Sequence, residues 1–227
     1  MLGSVLVLAA HPDDDVLGCG GSIAKYASEG FRIHVAFLAD GVNSRGNSAP
    51  ALNAELDVRR SAARAALEVL GVKSVSFNNF PDNRMDTVAL IDIAQVIEQM
   101  IIEHKPSIVF THNFNDVNID HRKVHDATVV ACRPQPGHTV KTILCYEVAS
   151  ITEWQLPGSH LSFTPNWHID ISEFLKLKLQ ALKEYELELR AWPHSRSIKA
   201  VEHLAHWRGA TVGVDAAEAF MLGRNIA

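Results

Sequence analysis

The chain has 227 residues, of which 47% are hydrophobic and 21% are charged, and its formal net charge is −5. This composition excludes an intrinsically disordered chain, which could not bury enough apolar surface to fold. The acidic balance without a basic cluster argues against a nucleic-acid partner, and no apolar run approaches the roughly 20 residues of a membrane-spanning helix.

Strand-like and helix-like segments alternate along the first two thirds of the chain. Strands are predicted at Val5–Ala10, Ile33–Ala39, Val75–Asn79, Ile108–Thr111 and Thr142–Glu147. Helices are predicted at Cys19–Ser28, Glu55–Leu70, Val88–Glu103 and His121–Arg133. This alternation predicts an α/β protein with a mainly parallel central sheet and helices on both of its faces.

The pattern changes in the C-terminal third of the chain. Residues 150–166 carry prolines and a glycine and are predicted to be mainly loop. Further helices are predicted at Phe174–Ala191, whose acidic run Glu184–Glu188 should face water, and at Ile198–Arg208 and Ala216–Leu222. We expect this α/loop extension to pack on the sheet, so that residues 1–227 form a single domain.

The N-terminus and the cysteines bear on where the protein works. The apolar stretch Val5–Ala10 has no basic leader and runs into acidic residues, so it is interpreted as a buried strand and not as a signal peptide. The three cysteines are few and widely spaced, which predicts reduced thiols and a cytoplasmic protein.

A first group of chemically active side chains follows the first strand. His11, Asp13, Asp14 and Asp15 come just before a turn rich in glycine. Ligands of parallel α/β sheets bind at the carboxyl ends of strands, and three carboxylates gathered there repel one another unless a cation neutralises them. His11 and Asp14 can reach one metal ion, which leaves Asp13 free to face a water molecule. The competing interpretation is an aspartate that caps a helix beside a surface loop.

The glycines of this turn do not have the GxGxxG spacing of a dinucleotide-binding loop. The neighbouring carboxylates would also repel a pyrophosphate. A nucleotide cofactor is therefore not expected.

A second group follows the fourth strand and should lie at the same rim of the sheet. His121 would open a helix there and offer a third metal ligand, and two histidines, one aspartate and a water make the open coordination sphere of a catalytic zinc. Asp116 and Asp120 could orient the histidines. His125, one helical turn beyond His121, is either a fourth ligand or a residue of the helix surface.

Both groups resemble the motifs of the PIG-L/LmbE family of metal-dependent de-N-acetylases. The resemblance is carried by His-Pro-Asp-Asp-Asp at 11–15, by the glycines at 18–21 and by Asn-Ile-Asp-His-Arg at 118–122, and it extends more weakly through most of the chain. It implies a Rossmann-like three-layer α/β sandwich and Zn²⁺-dependent removal of acetyl groups from N-acetylglucosamine-type sugars and related amides. It also implies that His11, Asp14 and His121 bind the metal and that Asp13 is the general base.

The chain departs from the family pattern at three positions. Asn118 stands where many members have a histidine thought to stabilise the oxyanion or protonate the leaving amine, so either Asn118 donates a hydrogen bond to the oxyanion or another histidine, His194 or His112, supplies the proton. Ala62 stands where members often have a glutamate after an arginine such as Arg59. Asp15 stands where many have glutamate.

Further side chains are expected to orient the ligands or to bind substrate. Those proposed for this role are Asp15, Asp120, Arg59, Asp40, Glu147 and Arg196. Three tryptophans could either stack on a sugar ring or fill the core, namely Trp154, Trp167 and Trp192.

The expected partner is a small N-acetylated molecule, and the sequence leaves open whether the chain forms a homo-oligomer. Two alternatives to a sugar deacetylase are a metal-dependent hydrolase of a non-sugar N-acyl amine and a non-catalytic metal- or ligand-binding protein. The presence of Asp13 argues against the second alternative, because metal binding alone does not need it.

Overall fold

A computed structural model describes residues 3–39, 41, 49–156, 158 and 161–227. The strands are β1 Ser4–Ala9, β2 Arg32–Ala39, β3 Ser74–Phe80, β4 Ile108–His112, β5 Thr142–Tyr146, β6 Trp167–Asp170 and β7 Ala217–Arg224. The α-helices are α1 Asp14–Ser28, α2 Ala49–Val69, α3 Leu90–His104, α4 Ile119–Ala131, α5 Leu175–Lys183 and α6 Ile198–Ala210. No helix in these ranges is both long and apolar enough to cross a membrane.

The strands form one seven-stranded sheet in the order β3-β2-β1-β4-β5-β7-β6. The first five strands of this order are parallel, whereas β7 runs antiparallel to both β5 and β6. The predicted mainly parallel α/β sheet is thus confirmed. The strand order reverses between β1 and β4, which is the place where open parallel sheets bind their ligands.

The fully buried strand β1 shows why the molecule has three layers. Because successive side chains of a strand point to opposite faces, Val5 and Val7 pack in one apolar cluster while Leu6 and Leu8 pack in another. The first cluster takes apolar residues from α1, α2, α5 and α6, and the second takes them from α3 and α4. The sheet therefore lies between two helical layers.

The C-terminal segment corrects a sequence prediction. The helix predicted at Ala216–Leu222 is wrong, although alanine, glutamate, methionine and leucine favour helices in isolation. The structure has the strand β7 here, and β7 pairs with β5 on one side and β6 on the other. Tertiary pairing overrides the local preference, since the strand fills a buried place in the sheet.

A second correction concerns the helix expected at Phe174–Ala191. Its α-helical part is α5, which ends at Lys183, and the chain continues in turns. Tyr185 and Glu188 of that continuation are buried, so the prediction that the acidic run faces water is wrong for Glu188.

The glycines after β1 allow α1 to pack closely on the sheet. A Cβ atom at Gly18 would lie 2.3 Å from the ring of Tyr146, and one at Gly21 would lie 2.7 Å from Ile171. The helix begins at Asp14, earlier than the predicted Cys19, where its backbone instead breaks. Close packing explains these glycines without any phosphate ligand.

A buried carboxylate supports the second half of α1 beyond this break. Glu218 on β7 accepts hydrogen bonds from the backbone N–H groups of Gly21 and Ser22, at 2.9 and 2.7 Å. It also accepts one from the Lys178 ammonium on α5 at 2.6 Å. Because the first N–H groups of a helix have no partner within it, Glu218 satisfies two of them and ties α1 to the sheet.

Candidate metal centre and active site

The predicted site residues meet at the rim where the sheet reverses its strand order. Residues 11–15 follow β1 and residues 113–116 follow β4, and these two strands pair directly. The first turn of α4 adds Asp120 and His121 beside them. Adjacent parallel strands thus bring both sequence groups to one place.

Three side chains direct their ligand atoms toward one another. One atom each from His11, Asp14 and His121 lies within 4.8 Å of the other two. Asp14 Oδ2 is 3.2 Å from His121 Nε2 and 3.4 Å from His11 Nδ1. Asp14 Oδ1 and His121 Nε2 are buried, and neither has a hydrogen-bond partner among the described residues. Buried polar atoms normally have partners, so this two-histidine, one-aspartate set fits a divalent metal ion such as zinc.

Asp116 sets the orientation of His121. Its Oδ2 accepts a hydrogen bond from His121 Nδ1 at 2.9 Å, while its Oδ1 accepts from the hydroxyl of Thr152 at 2.7 Å and the amide of Asn113 at 3.2 Å. With the proton on Nδ1, the Nε2 lone pair faces Asp14. This is the usual way in which a carboxylate prepares a histidine for a metal.

Asp120 orients His11 in the same way. His11 Nε2 lies 3.0 Å from Asp120 Oδ2 and 3.1 Å from Asp82 Oδ1. Asp120 also accepts hydrogen bonds from the backbone N–H groups of Asn83 and Met85, at 2.6 and 3.0 Å. The other ring nitrogen of His11 is left facing the ligand cluster.

The electrostatics of this cluster favour added positive charge. Burial opposes protonation of His11, but its hydrogen bonds to Asp120, Asp14 and Asp82 outweigh burial and raise its pKa well above the ordinary value. Burial also opposes ionisation of Asp14, yet His121 and His11 hold the pKa of this carboxyl well below its usual range. The carboxylates thus stabilise a cation between them, which a divalent metal would provide.

His112 packs against the ligand cluster, with its ring centroid 3.7 Å from that of His121 and its Nε2 3.6 Å from Asp14 Oδ2, and it forms a second possible ligand group with Asp116 and His121. His112 Nε2 accepts a hydrogen bond from the backbone N–H of Ala10 at 2.8 Å. Burial, together with the neighbouring His121, lowers the pKa of His112 well below the ordinary value. Its ring is therefore neutral near pH 7 and unsuited to donate the leaving-group proton. His125 Nδ1 contacts the backbone oxygen of His112 at 2.9 Å, a position in the packing of α4 on β4.

Asp13 lies beside the cluster in a polar cavity of about 140 Å³. Its backbone has a φ of 121°, a value that costs energy for a residue other than glycine. Its Oδ2 accepts a hydrogen bond from Arg196 Nη1 at 2.9 Å. Burial raises the pKa of Asp13 to about 6, although the Arg196 guanidinium opposes the rise. The cavity is lined by His11, Asp13, Gly41, Arg59, Asp82, Asn83, Asn118, Glu188 and Arg196.

Asn118 and His194 have different relations to this cavity. Asn118 lines it, but its Oδ1 caps α4 by accepting from the backbone N–H of Asp120 at 2.8 Å, and its Nδ2 donates to Asn83 Oδ1 at 3.1 Å. His194 is not among the lining residues. Its Nδ1 accepts from the backbone N–H of Arg196 at 3.0 Å, so it approaches Asp13 only through that residue.

The remaining predicted site residues are spread more widely. Asp15 is buried beneath the cavity, 3.4 Å from the hydroxyl of Tyr185, and burial raises its pKa to about 7. Glu147 forms a two-pronged ion pair with Arg208 at 2.8 and 2.7 Å and lines a separate cavity of about 200 Å³. Asp40 lies outside the described residues.

The tryptophans do not line the polar cavity. Trp154 and Trp192 are half exposed, and Trp154 packs edge-on against the ring of His194, with 5.5 Å between ring centroids. Trp167 belongs to β6 and packs against the core.

Sequence reasoning missed Glu188, whose carboxylate pairs with Arg59 in the cavity wall. The only signal in the sequence was that Glu188 follows Tyr185 by three residues, so that both side chains can be buried together. That spacing was hidden in a run of alternating glutamates.

Fold and site together define an α/β protein with a candidate metal centre and an acidic side chain poised beside it. The family model described as PIG-L, GlcNAc-PI de-N-acetylase, matches residues 6–132. The chain therefore belongs to the PIG-L family of de-N-acetylases.

The names of relatives of this chain indicate different activities. The chain is 34% identical over 188 residues to a protein of Escherichia coli K12 named as the uncharacterized deacetylase YaiS, covering 80% of this chain and 90% of that one. It is 37% identical over 128 residues to the 4-oxalmesaconate hydratase of Pseudomonas putida KT2440, covering 52% of this chain and 47% of the hydratase.

A solved structure confirms the fold at lower sequence identity. The N,N'-diacetylchitobiose deacetylase from Pyrococcus horikoshii superposes with a TM-score of 0.78 at 19% identity, covering 98% of this chain and 84% of that one.

Proposed function

We propose that the chain is a zinc-dependent hydrolase that removes an N-acetyl group from an N-acetylglucosamine-type sugar or a related small amide, giving acetate and a free amine. One observation carries this proposal: Asp13 lines the same polar cavity as His11, which belongs to the cluster of His11, Asp14 and His121. Amide hydrolysis needs both a polarised carbonyl and a base for water.

The roles follow from this arrangement. His11, Asp14 and His121 would hold the metal, which supplies polarisation of the amide carbonyl and a lowered pKa for water. Asp13 accepts the proton of the attacking water and can return it to the leaving amine. Arg196 holds the Asp13 carboxylate in place through an ion pair at 2.9 Å.

Asn118 and His194 are the two residues proposed to assist at later steps. The Asn118 amide lines the cavity, which supports a role as a donor to the oxyanion. His194 would act through a shift of the Arg196 segment toward the cavity, because its present contacts are with Trp154 and the backbone of Arg196.

The polar lining supports a substrate that carries hydroxyl groups. Every side chain lining the described part of the cavity is charged or polar. A sugar ring satisfies such groups through its hydroxyls, whereas an apolar acyl amine would leave them without partners. The family description and the Pyrococcus relative both concern N-acetylated amino sugars.

A hydratase is the second candidate, because the relative of this name matches half of the chain. Hydration of a double bond and hydrolysis of an amide both require an activated water molecule. The products separate them: a deacetylase releases acetate and a primary amine, whereas a hydratase removes the ultraviolet absorbance of a conjugated acid.

The test combines metal exchange with substitution of the base. The purified protein is stripped with a chelator, reloaded with Zn²⁺ or another divalent ion, and assayed for amine release from N-acetylated sugars and for hydration of unsaturated acids. Asp13→Asn should keep the metal and the fold but lose at least about 10²-fold in kcat. Asp126→Asn, at a half-exposed position of α4, serves as the matched control. Amine release that persists without metal, or within a few-fold in Asp13→Asn, would refute the mechanism.

A cytoplasmic location is proposed on the basis of the cysteines. Cys19, Cys132 and Cys145 are free and buried, which suits a reducing compartment. Fractionation of cells expressing the tagged chain tests this location.

A further inference from the structure

The chain forms a turn after β5, at the same rim of the sheet as the ligand cluster. Residues 148–153 are named the β5 turn here. The backbone N–H groups of Ile151 and Thr152 donate to the backbone oxygen of Val148, at 3.1 and 2.9 Å. Strand β4 lies between β1 and β5, and all three are parallel. The β5 turn therefore reaches the residues that follow β4 from the side opposite to β1.

The hydroxyl group of Thr152 has a fixed direction. Its Oγ1 accepts a hydrogen bond from the backbone N–H of Val148 at 2.8 Å and donates to Asp116 Oδ1 at 2.7 Å. A backbone N–H can only donate and an ionised carboxylate can only accept. Thr152 is 8% exposed and Asp116 is fully buried. The single hydroxyl proton of Thr152 is therefore committed to Asp116 and is not available to a ligand.

Asp116 links this hydroxyl group to the proposed metal ligand His121. Its second oxygen, Oδ2, accepts from His121 Nδ1 at 2.9 Å. Asn113 donates to Oδ1 beside Thr152, at the longer distance of 3.2 Å. Hydrogen-bond donors on one carboxylate oxygen restrict the rotation of the whole group, and the carboxylate in turn orients the imidazole ring. Thr152 thus makes the shorter of two contacts that fix Asp116 behind His121.

A second set of contacts holds the β5 turn itself. Ser150 has a φ of 69°, which is costly for a residue with a side chain. Its backbone N–H donates to Glu153 Oε1 at 2.6 Å, and its hydroxyl accepts from Arg196 Nε at 2.8 Å. Arg196 also donates to Asp13. The position of Thr152 is therefore supported by a segment that contacts the proposed base as well as by local backbone bonds.

We propose that Thr152 is a positioning residue of the metal centre, which fixes the ring of His121 through Asp116. The inference rests on the proposed function and deepens it, because it concerns the affinity of the same site for its metal. Thr152 lies beyond residues 6–132, the stretch that the family model matches. A residue outside that stretch would thus tune the binding of the metal.

The experiment removes the hydroxyl group while keeping the shape of the side chain. The dissociation constant of Zn²⁺ is measured on chelator-stripped wild type and Thr152→Val by competition with a chromophoric chelator. Thr152→Val should bind Zn²⁺ about tenfold more weakly, at the lower end of the range for residues that support a metal ligand, because Asn113 still donates to Asp116. Thr152→Ser keeps the hydroxyl and should stay within about twofold of the wild type.

Two control variants remove a hydroxyl group elsewhere. Thr142 lies at the other end of β5, where its hydroxyl donates to Asn225 at 2.9 Å, so Thr142→Val should leave Zn²⁺ affinity unchanged. Ser150→Ala changes the β5 turn itself but removes a contact to Arg196 instead of one to Asp116, and it should also leave the affinity unchanged. Equal weakening in Ser150→Ala would assign the effect to the turn as a whole and overturn the role of Thr152.

A double-variant cycle tests the route through Asp116. If Thr152 acts on His121 through this carboxylate, Thr152→Val should cause no further loss of Zn²⁺ affinity when it is added to Asp116→Ala. Losses that simply add would contradict this route. Thermal unfolding of the metal-free proteins checks that each variant is folded. Should Thr152→Val not fold, Thr152→Ala removes the same hydroxyl without placing a methyl group against Asp116, and it should show the same loss.

Zn²⁺ binding also separates failure of this proposal from failure of the proposed function, because it needs no substrate. A wild type that binds Zn²⁺ no more tightly than Thr152→Val would overturn the role of Thr152, whether or not the protein deacetylates any sugar. A wild type that binds no divalent ion would instead refute the proposed metal centre, and this inference with it.

Discussion

The ion pair between Lys178 and Glu218 joins α5 to the sheet and supports the helix that carries Asp14. The two side chains are 5% and 3% exposed. Lys178 donates to Glu218 at 2.6 Å and to the backbone oxygen of Leu17 at 2.9 Å. Lys178→Met keeps most of the apolar stem but leaves Glu218 buried without its cation and Leu17 without its donor.

The expected loss of stability is large. Removing one partner of a buried ion pair costs about 3–5 kcal/mol, because an uncompensated charge stays inside the protein. Domains are stable by only about 5–15 kcal/mol. At roughly 2–4 °C per kcal/mol for a chain of this size, the melting temperature should fall by roughly 6–20 °C.

Urea unfolding followed by circular dichroism measures this loss, with a chelator present so that metal release does not contribute. The exposed Lys176→Met on the same helix is the control and should change the free energy of unfolding by less than about 0.5 kcal/mol. The double variant Lys178→Met/Glu218→Gln should recover part of the loss, because no unpaired carboxylate remains. A loss below about 1 kcal/mol in Lys178→Met would refute the reasoning.

Three further predictions concern the site and the opposite end of the sheet. Asp116→Asn should weaken Zn²⁺ binding by about 10- to 100-fold in competition with a chromophoric chelator, because His121 loses the carboxylate that orients it; unchanged affinity would contradict this role. His194→Ala should lower kcat and remove the higher-pH limb of the pH–rate profile if His194 protonates the leaving amine, whereas an unchanged profile assigns both proton transfers to Asp13. Burial, reinforced by His104, lowers the pKa of His34 to about 4. As the pH falls from about 6.5 to 4, His34 therefore takes up a proton in the unfolded chain but not in the folded chain. Over this range the free energy of unfolding of the wild type should fall more than that of His34→Gln. Urea midpoints that change with pH in parallel in the two proteins would contradict this prediction.

The parallel half of the fold could be predicted because its signals are local. Each strand from β1 to β4 is followed by a helical period, and the polar groups after β1 and β4 meet because the carboxyl ends of parallel strands share one edge. The ligand atoms of His11, Asp14 and His121 come together for that reason.

The rest of the site depends on contacts that no local pattern records. Arg59 and Glu188 are 129 residues apart, and Asp13 and Arg196 are 183 residues apart. Glu188 sits in an alternating acidic run that is typical of a solvated helix, and only the docking of that segment against α2 turns it inward. The conformation of β7 is likewise decided by its partners β5 and β6 and not by local preference.

Two stretches of the chain form the cavity, and the family model matches only the first of them. The proposed metal ligands and Asp13 all lie within residues 6–132, the stretch that the family model matches, whereas Glu188 and Arg196 lie beyond it. A substitution in the later stretch can therefore alter the cavity wall without replacing a proposed metal ligand. For protein engineers, positions between α5 and α6 other than His194 and Arg196 are the place to reshape the cavity wall while the proposed metal ligands are left untouched.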